Sequence, residues 1–434
     1  MMTTKLPALI ATAAALALTT PPAMAVEAAT VIKARHLFDG VSGRLTDPGL
    51  VVVAGGRIVA VGPAAVVPAD ARVIDLGDAT LLPGFIDAHV HITDESSGNS
   101  YRDFYEDMLR LPAEQAYYAE KYAHATLAAG FTTVRVVGAG DWVDIALRNA
   151  VNAGLVPGPR ILAAAHAIGS PGGHCDQPPF PPERVKPAGP IDGVCSGPES
   201  CREAVRDQMK WGADVIKICA SGGVFSESDP LKVPQLTPAE LEAIVGEAHR
   251  WGRKVAAHSH GDEAARLAVE AGVDSIEHGT FLTADTLRLM KQKGTYLVPT
   301  RLAAWWSGQH ADSYPPPIAK KARAATAAGA EMMRTALKVG VPIAFGTDSG
   351  VSPHGMNAKE FSLLVADGMA PATALLAATR EAARLLGVDA ETGSLEAGKA
   401  ADLVAVPGNV LDDIGATEHP TFVMARGAVV VTRP

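Results

Sequence analysis

The chain has 434 residues, 38 basic and 47 acidic, for a formal net charge of −9. That balance argues against nucleic acid or an anionic membrane as a partner. The length suits one large domain or a large domain with a small one, and four cysteines are too few for a disulfide scaffold.

In chain order, the first feature is Lys5, an apolar stretch from Ala8 to about Thr20, and Ala23-Met24-Ala25. This is the pattern of an export signal, residues 1–25, cleaved to leave Val26 as the new N-terminus. No later segment approaches about 20 unbroken apolar residues, so no membrane association is expected after cleavage. The mature protein is expected to be periplasmic or secreted.

Short β-branched apolar runs then recur at Leu81–Ile92, Phe131–Val137, Arg160–Ile168, Ala213–Cys219, Lys254–His260, Ser275–Phe281, Thr295–Thr300 and Pro342–Thr347. Helical spacing fills intervals such as Pro238–Trp251, Asp262–Ala271, Ala284–Gln292, Ile318–Val339 and Pro371–Leu386. Thr237-Pro238 with Glu240, and Thr283, are expected helix caps. Eight strand–helix alternations predict an α/β fold, a (β/α)8 TIM-type barrel over 83–394. The β-rich flanks, 26–82 and 395–434, are each short for a domain and are expected to pair into one small β domain formed by both chain ends. Among the cysteines, Cys195 and Cys201 are the expected bridge, and Cys219, in a core-like run, is an expected buried free thiol.

Polar residues collect at the predicted strand ends, where a barrel of this kind builds its active site. In GFIDAHVHI, His89 and His91 alternate and so face one side. Lys217 lies near the end of ADVIKI, His258 and His260 near the end of VAAHSH, His278 ends SIEH, and Asp348 ends IAFGTD. Singly, each has a structural reading, as a hydrogen-bonded histidine, a snorkelling lysine or a turn-forming aspartate. Together, imidazoles, an amine and a carboxylate at successive strand ends point to divalent metal. An ammonium beside two cations would be repelled, so Lys217 is expected as a neutral amine that captures carbon dioxide and becomes an anionic carbamate bridging two ions. Two ions held in this way polarise a carbonyl and activate water.

In HVH after GFID, and in GADVIKI, AHSHG, IEHGT and GTDSG, the chain resembles the amidohydrolase superfamily. GGH at Gly172–His174, GADVIKICASGGV and PHGMNAKEF make it similar to the Xaa-Pro dipeptidase-like, imidazolonepropionase-related subgroup, which includes carboxypeptidase-type dipeptidases and ochratoxin-hydrolysing amidases. The resemblance implies the ligands His89, His91, carboxylated Lys217, His258, His278 and Asp348, with two divalent ions, zinc expected. The preference for His258 over His260 rests on it alone. It further implies amide hydrolysis with Asp348 as proton carrier, and a homo-oligomer acting on a small-molecule amide or dipeptide.

His174, His260 and His354, in predicted loops after the third, fifth and eighth strands, are candidates to hold the substrate's carbonyl oxygen or carboxylate, and His166 is a further candidate. Arg301 is a candidate for a bidentate pair with a substrate carboxylate, with Trp305 and Trp306 as an apolar wall. The expected reaction is cleavage of a dipeptide or N-acyl amino acid next to a free carboxylate. A cyclic-amide hydrolase like imidazolonepropionase and a non-catalytic metal-binding protein are the alternatives.

Overall fold

A computed structural model describes residues 29–433, except 177–179, 182 and 228. The expected signal segment lies outside the described residues. No helix among the described residues is long and apolar enough to cross a membrane.

The central body is a ring of parallel strands: β1 (Phe85–Val90), β2 (Phe131–Val136), β3 (Arg160–Ala163), β4 (Val215–Cys219), β5 (Lys254–Ser259), β6 (Ser275–His278) and β7 (Tyr296–Val298). Regular ladders join β1 to β3 and β4 to β7. A few backbone hydrogen bonds close each of the two gaps. Between β3 and β4, Asp214 N donates to Ala163 O (2.7 Å) and Cys219 N to Ile168 O (2.9 Å). The eighth stave, 342–349, is an irregular ribbon, not the strand its apolar pattern predicts. Leu297 N reaches Pro342 O (2.8 Å) on one side, and Ala88 N reaches Phe345 O (2.9 Å) and Asp348 N reaches His89 O (2.7 Å) on the other. The barrel is therefore closed, and at Asp348, whose N–H still bonds His89 O, the irregular stave turns with a φ of 61°.

The apolar run Leu81–Ile92 is two strands. Ala79–Pro83 pairs antiparallel with Leu403–Pro407, while β1 begins after Gly84 and pairs with β2. Gly84 is required there, since a Cβ would lie 2.1 Å from Thr132 Oγ1. Both chain ends thus contribute to one six-stranded sheet, and a four-stranded sheet built on Thr30–Ala34 packs near it through Ile32, Val51, Val53, Leu81, Leu403 and Phe422.

Both helix caps form as expected. Thr237 and Glu240 make a reciprocal capping box, and Thr283 accepts from Thr286 N. Three further helices frame the site: α1 (Arg301–Gln309), α2 (Pro316–Val339) and α3 (Lys359–Ala366).

Candidate active site

The barrel's C-terminal end opens into a cavity of about 390 Å³ lined by His89, His91, His174, Lys217, His258, His260, His278, Arg301 and Asp348, among others. Alternation along β1 and hydrogen bonds to neighbouring groups aim the first pair. His89 Nδ1 meets Glu277 Oε2 (2.7 Å) and His91 Nδ1 meets Gly138 O (3.1 Å). Both Nε2 atoms then lie 3.4 Å from one oxygen, Asp348 Oδ1. Among the described residues His89 Nε2 and Asp348 Oδ1 are buried with no hydrogen-bond partner, a costly arrangement unless something else occupies the space between them.

The ligand atoms of His89, His278 and Asp348 lie within 4.8 Å of one another, as do those of His258, His260 and His278. The two groups share His278, and imidazole with carboxylate suits a divalent ion. This donor set fits the expected metals. His258 Nε2 meets Gly222 O (3.2 Å), leaving Nδ1 for an ion, and His260 Nδ1 meets Thr280 Oγ1 (2.7 Å), leaving Nε2. Both are in the second group, so distance does not choose between them.

Three residues here hold positive φ, His278 (67°), Thr300 (46°) and Asp348 (61°). Such conformations cost about 1–3 kcal/mol each and persist where the surroundings impose them. Thr300 Oγ1 lies 2.7 Å from His278 Nδ1, so two of the strained residues hold each other.

Burial lowers His91 and His174 to about 4 and His260 to about 3, which keeps these imidazoles neutral. Burial also lowers the Lys217 amine to about 8, with Arg135 adding to the effect and Glu277 and Asp348 opposing it. Burial would raise the Asp348 carboxyl, but His89, His91 and Lys217 overcome it and hold the group below its ordinary value.

Several expectations need correcting. His354 is not in the cavity wall: its Nε2 meets Asp94 O (2.9 Å), its Nδ1 meets Thr126 Oγ1 (3.2 Å), and its ring stacks on Tyr122. It pins a loop. His166 lies edge-on to Trp142 and is also absent from the lining. Trp305 and Trp306 turn away, Trp306 packing on His310, and the apolar lining comes instead from Val224, Phe225, Ala303, Ala304 and Ala325. Arg301 does reach the cavity, but its Nε is held by Asp367 (2.6 Å), so a bidentate grip through Nε is excluded; Nη1 is buried without a partner. Its guanidinium lies against Gly329 inside α2, where a Cβ would come within 2.4 Å of Nη1.

Cys195 and Cys201 are bridged as expected, but Cys219 is not a free thiol. It is bonded to Cys175, which follows His174, and both line the cavity.

Sequence reasoning missed Glu277 and Arg135. Arg135 Nη2 donates to Glu277 Oε1 (2.8 Å), the other carboxylate oxygen being the one that holds His89. Burial would raise Glu277, but Arg135 and then His89 bring it down to about 2. Asp87 was missed as well. It takes hydrogen bonds from Thr347 Oγ1 (2.6 Å), Asn357 Nδ2 (2.9 Å) and His89 N (3.1 Å), clamping β1 to the eighth stave. The signals were present: an arginine inside the buried run FTTVRV, and Asp87 on the same face as His89 and His91.

Residues 80–432 match the model of the amidohydrolase family. The chain belongs to that family. This amidohydrolase is 34% identical over 363 residues to the ochratoxinase of Aspergillus niger, covering 79% of this chain and 73% of that protein. A solved structure of a Xaa-Pro dipeptidase with bound methionine superposes with a TM-score of 0.89 at 38% identity, covering 93% of this chain and 99% of that one. The imidazolonepropionase of Rhizorhabdus wittichii is 29% identical over 401 residues, covering 83% and 88%. The protein is a hydrolase of amide bonds on a TIM-type barrel.

Proposed function

We propose that this amidohydrolase is an exported, binuclear metal-dependent amidase that cleaves dipeptides or N-acyl amino acids, Xaa-Pro or Xaa-hydrophobic, beside a free C-terminal carboxylate. The observation that carries the reading is a single cavity lined by His89, Lys217, Arg301 and Asp348, in which His89 Nε2 and Asp348 Oδ1 have no hydrogen-bond partner among the described residues. In this reading His89, His91, His258, His278 and Asp348, together with carboxylated Lys217, would hold the two ions. Divalent ions at such a site polarise the scissile carbonyl and lower the pKa of water.

The chain's own residues do the rest. Asp348, ionised at neutral pH, takes the proton lost as water oxygen bonds to the carbonyl carbon. It returns that proton to the amine nitrogen as the C–N bond breaks. Arg301, its guanidinium fixed by Asp367, offers a charge-assisted bond to the carboxylate of the leaving amino acid. The ochratoxinase and dipeptidase likenesses support a substrate that is an acyl group joined by an amide to an amino acid.

The test compares N-acyl-phenylalanine with its carboxamide on the zinc-loaded protein. A contact to a buried carboxylate contributes about 1.5–3 kcal/mol, so kcat/KM should fall at least about tenfold on amidation, part of it in kcat. Equal efficiencies would turn the reading toward a cyclic amide. Export is tested by N-terminal sequencing from the native host, with Val26 expected within a residue or two; an intact Met1 form inside the cytoplasm would refute it.

A further inference from the structure

His174 is held by four contacts. Its backbone N–H donates to Gln235 Oε1 (2.9 Å), and the following Cys175 is bonded to Cys219 of β4. Its ring lies on Gly223, where a Cβ would fall 2.1 Å from the nearest ring atom. Ring atom Nδ1 lies 3.0 Å from Ser226 Oγ, and Ser226 Oγ lies 2.5 Å from Asp229 Oδ1.

The direction of these bonds follows from what each group can do. Asp229 receives four donors: Ser226 Oγ, Lys321 Nζ (2.9 Å), Gln235 Nε2 (2.7 Å) and Gly223 N (3.2 Å). A carboxylate so surrounded only accepts. Ser226 has one hydroxyl proton, and the carboxylate at 2.5 Å takes it in preference to Gly223 O at 3.3 Å. Ser226 Oγ must therefore accept from His174 Nδ1–H, which leaves the Nε2 lone pair unprotonated in the neutral ring. The expectation that His174 grips a carbonyl oxygen or carboxylate requires the opposite polarity.

We infer that His174 is a fixed hydrogen-bond acceptor for a substrate N–H, the α-amine of the aminoacyl half, and that Ser226 and Asp229 are positioning residues that set its tautomer. This rests on the dipeptidase reading of the cavity. With Asp348 engaged in moving the proton of water, His174 gives the buried amine an acceptor of its own.

The test has two independent arms. In histidine-labelled, zinc-loaded protein, nitrogen–proton correlation spectra should show the His174 ring protonated at Nδ1, with the signal assigned by its loss in His174→Gln. Ser226→Ala should scramble that tautomer and Ser226→Thr should restore it; a proton on Nε2 in the wild type would overturn the inference whatever the enzyme hydrolyses. In the second arm, Ser226→Ala should lower kcat/KM for alanyl-proline by about tenfold and for propionyl-proline, which has no N–H, by less than about threefold. Ser226→Thr should recover most of the alanyl-proline rate. Equal losses on the two substrates would overturn the assignment to a substrate N–H. Failure of both substrates to turn over would count against the dipeptidase reading and leave the tautomer arm to decide the network.

Discussion

Glu277, at the end of β6, and Glu360, in α3, are both fully buried glutamates, and their surroundings drive them in opposite directions. Glu277 faces Arg135 and His89 and is drawn down to about 2. Among the described residues Glu360 receives only backbone N–H groups, from Arg301 (3.0 Å) and Leu302 (2.5 Å) at the start of α1, and burial pushes it up to about 8 despite the nearby Arg301 charge. Desolvation acts on both, so the partner decides. A full opposite charge in contact outweighs the loss of water, whereas two amide dipoles do not. The barrel end therefore keeps a permanent anion behind His89, a candidate metal ligand, and the helix junction keeps a carboxyl that holds its proton near neutrality.

The heaviest blow to the Glu277 side is at Lys217. Lys217→Ala should remove most of the bound metal and at least about 100-fold of activity, read by metal analysis and kcat, and added small carboxylates should restore part of both. Full activity with normal metal content would end the binuclear reading.

Glu277→Gln sharpens the contrast. It leaves Arg135 buried without its counter-charge, at about 3–5 kcal/mol of stability. It also weakens the group behind His89, which should cost about 10–100-fold in metal affinity by chelator competition. In the wild type the Glu277 contribution is present above the ordinary glutamate value of 4.5 and is lost as pH falls toward about 2.

Glu360→Gln should have the smallest effect, and its sign depends on pH. An acid whose folded pKa is raised makes the folded state bind its proton more tightly, so stability is full below 4.5 and declines as pH climbs toward about 8. The amide cannot ionise. The variant should therefore match or exceed the wild type at pH 9 in denaturant unfolding, by up to a few kcal/mol, and show a flatter pH profile. A variant that loses stability at pH 9 would place Glu360 with Glu277.

How much of this was legible depended on what each residue's neighbours could reveal. The metal-ligand candidates were readable because β-strand alternation and strand ends are local properties, and all six reach one cavity. The break at Gly84 was not, because strands buried on both faces read as one apolar run even when they serve different sheets. The eighth stave carries a strand's composition but pairs through only a few bonds, a matter of register that composition does not encode. His354 and the two tryptophans failed for the same kind of reason: sequence places them after a strand, but only packing decides which way a loop side chain faces. The Cys175–Cys219 bond spans 44 residues, beyond any spacing rule. Glu277 and Arg135 could have been paired, since neither would be left alone in so apolar a setting.

The strand Ala79–Pro83 has consequences for biogenesis. Its antiparallel neighbour, Leu403–Pro407, is translated only after the whole barrel, and Phe422–Ala425 and Ala428–Thr432 are added beyond that. A nascent chain therefore carries an open sheet edge until Leu403–Pro407 has been synthesised, and a product stalled or clipped before Leu403 keeps that edge, ready to template intermolecular pairing. A chain that includes Leu403–Pro407 covers this edge itself, and one that lacks it leaves the backbone groups of Ala79–Pro83 unpaired on that side.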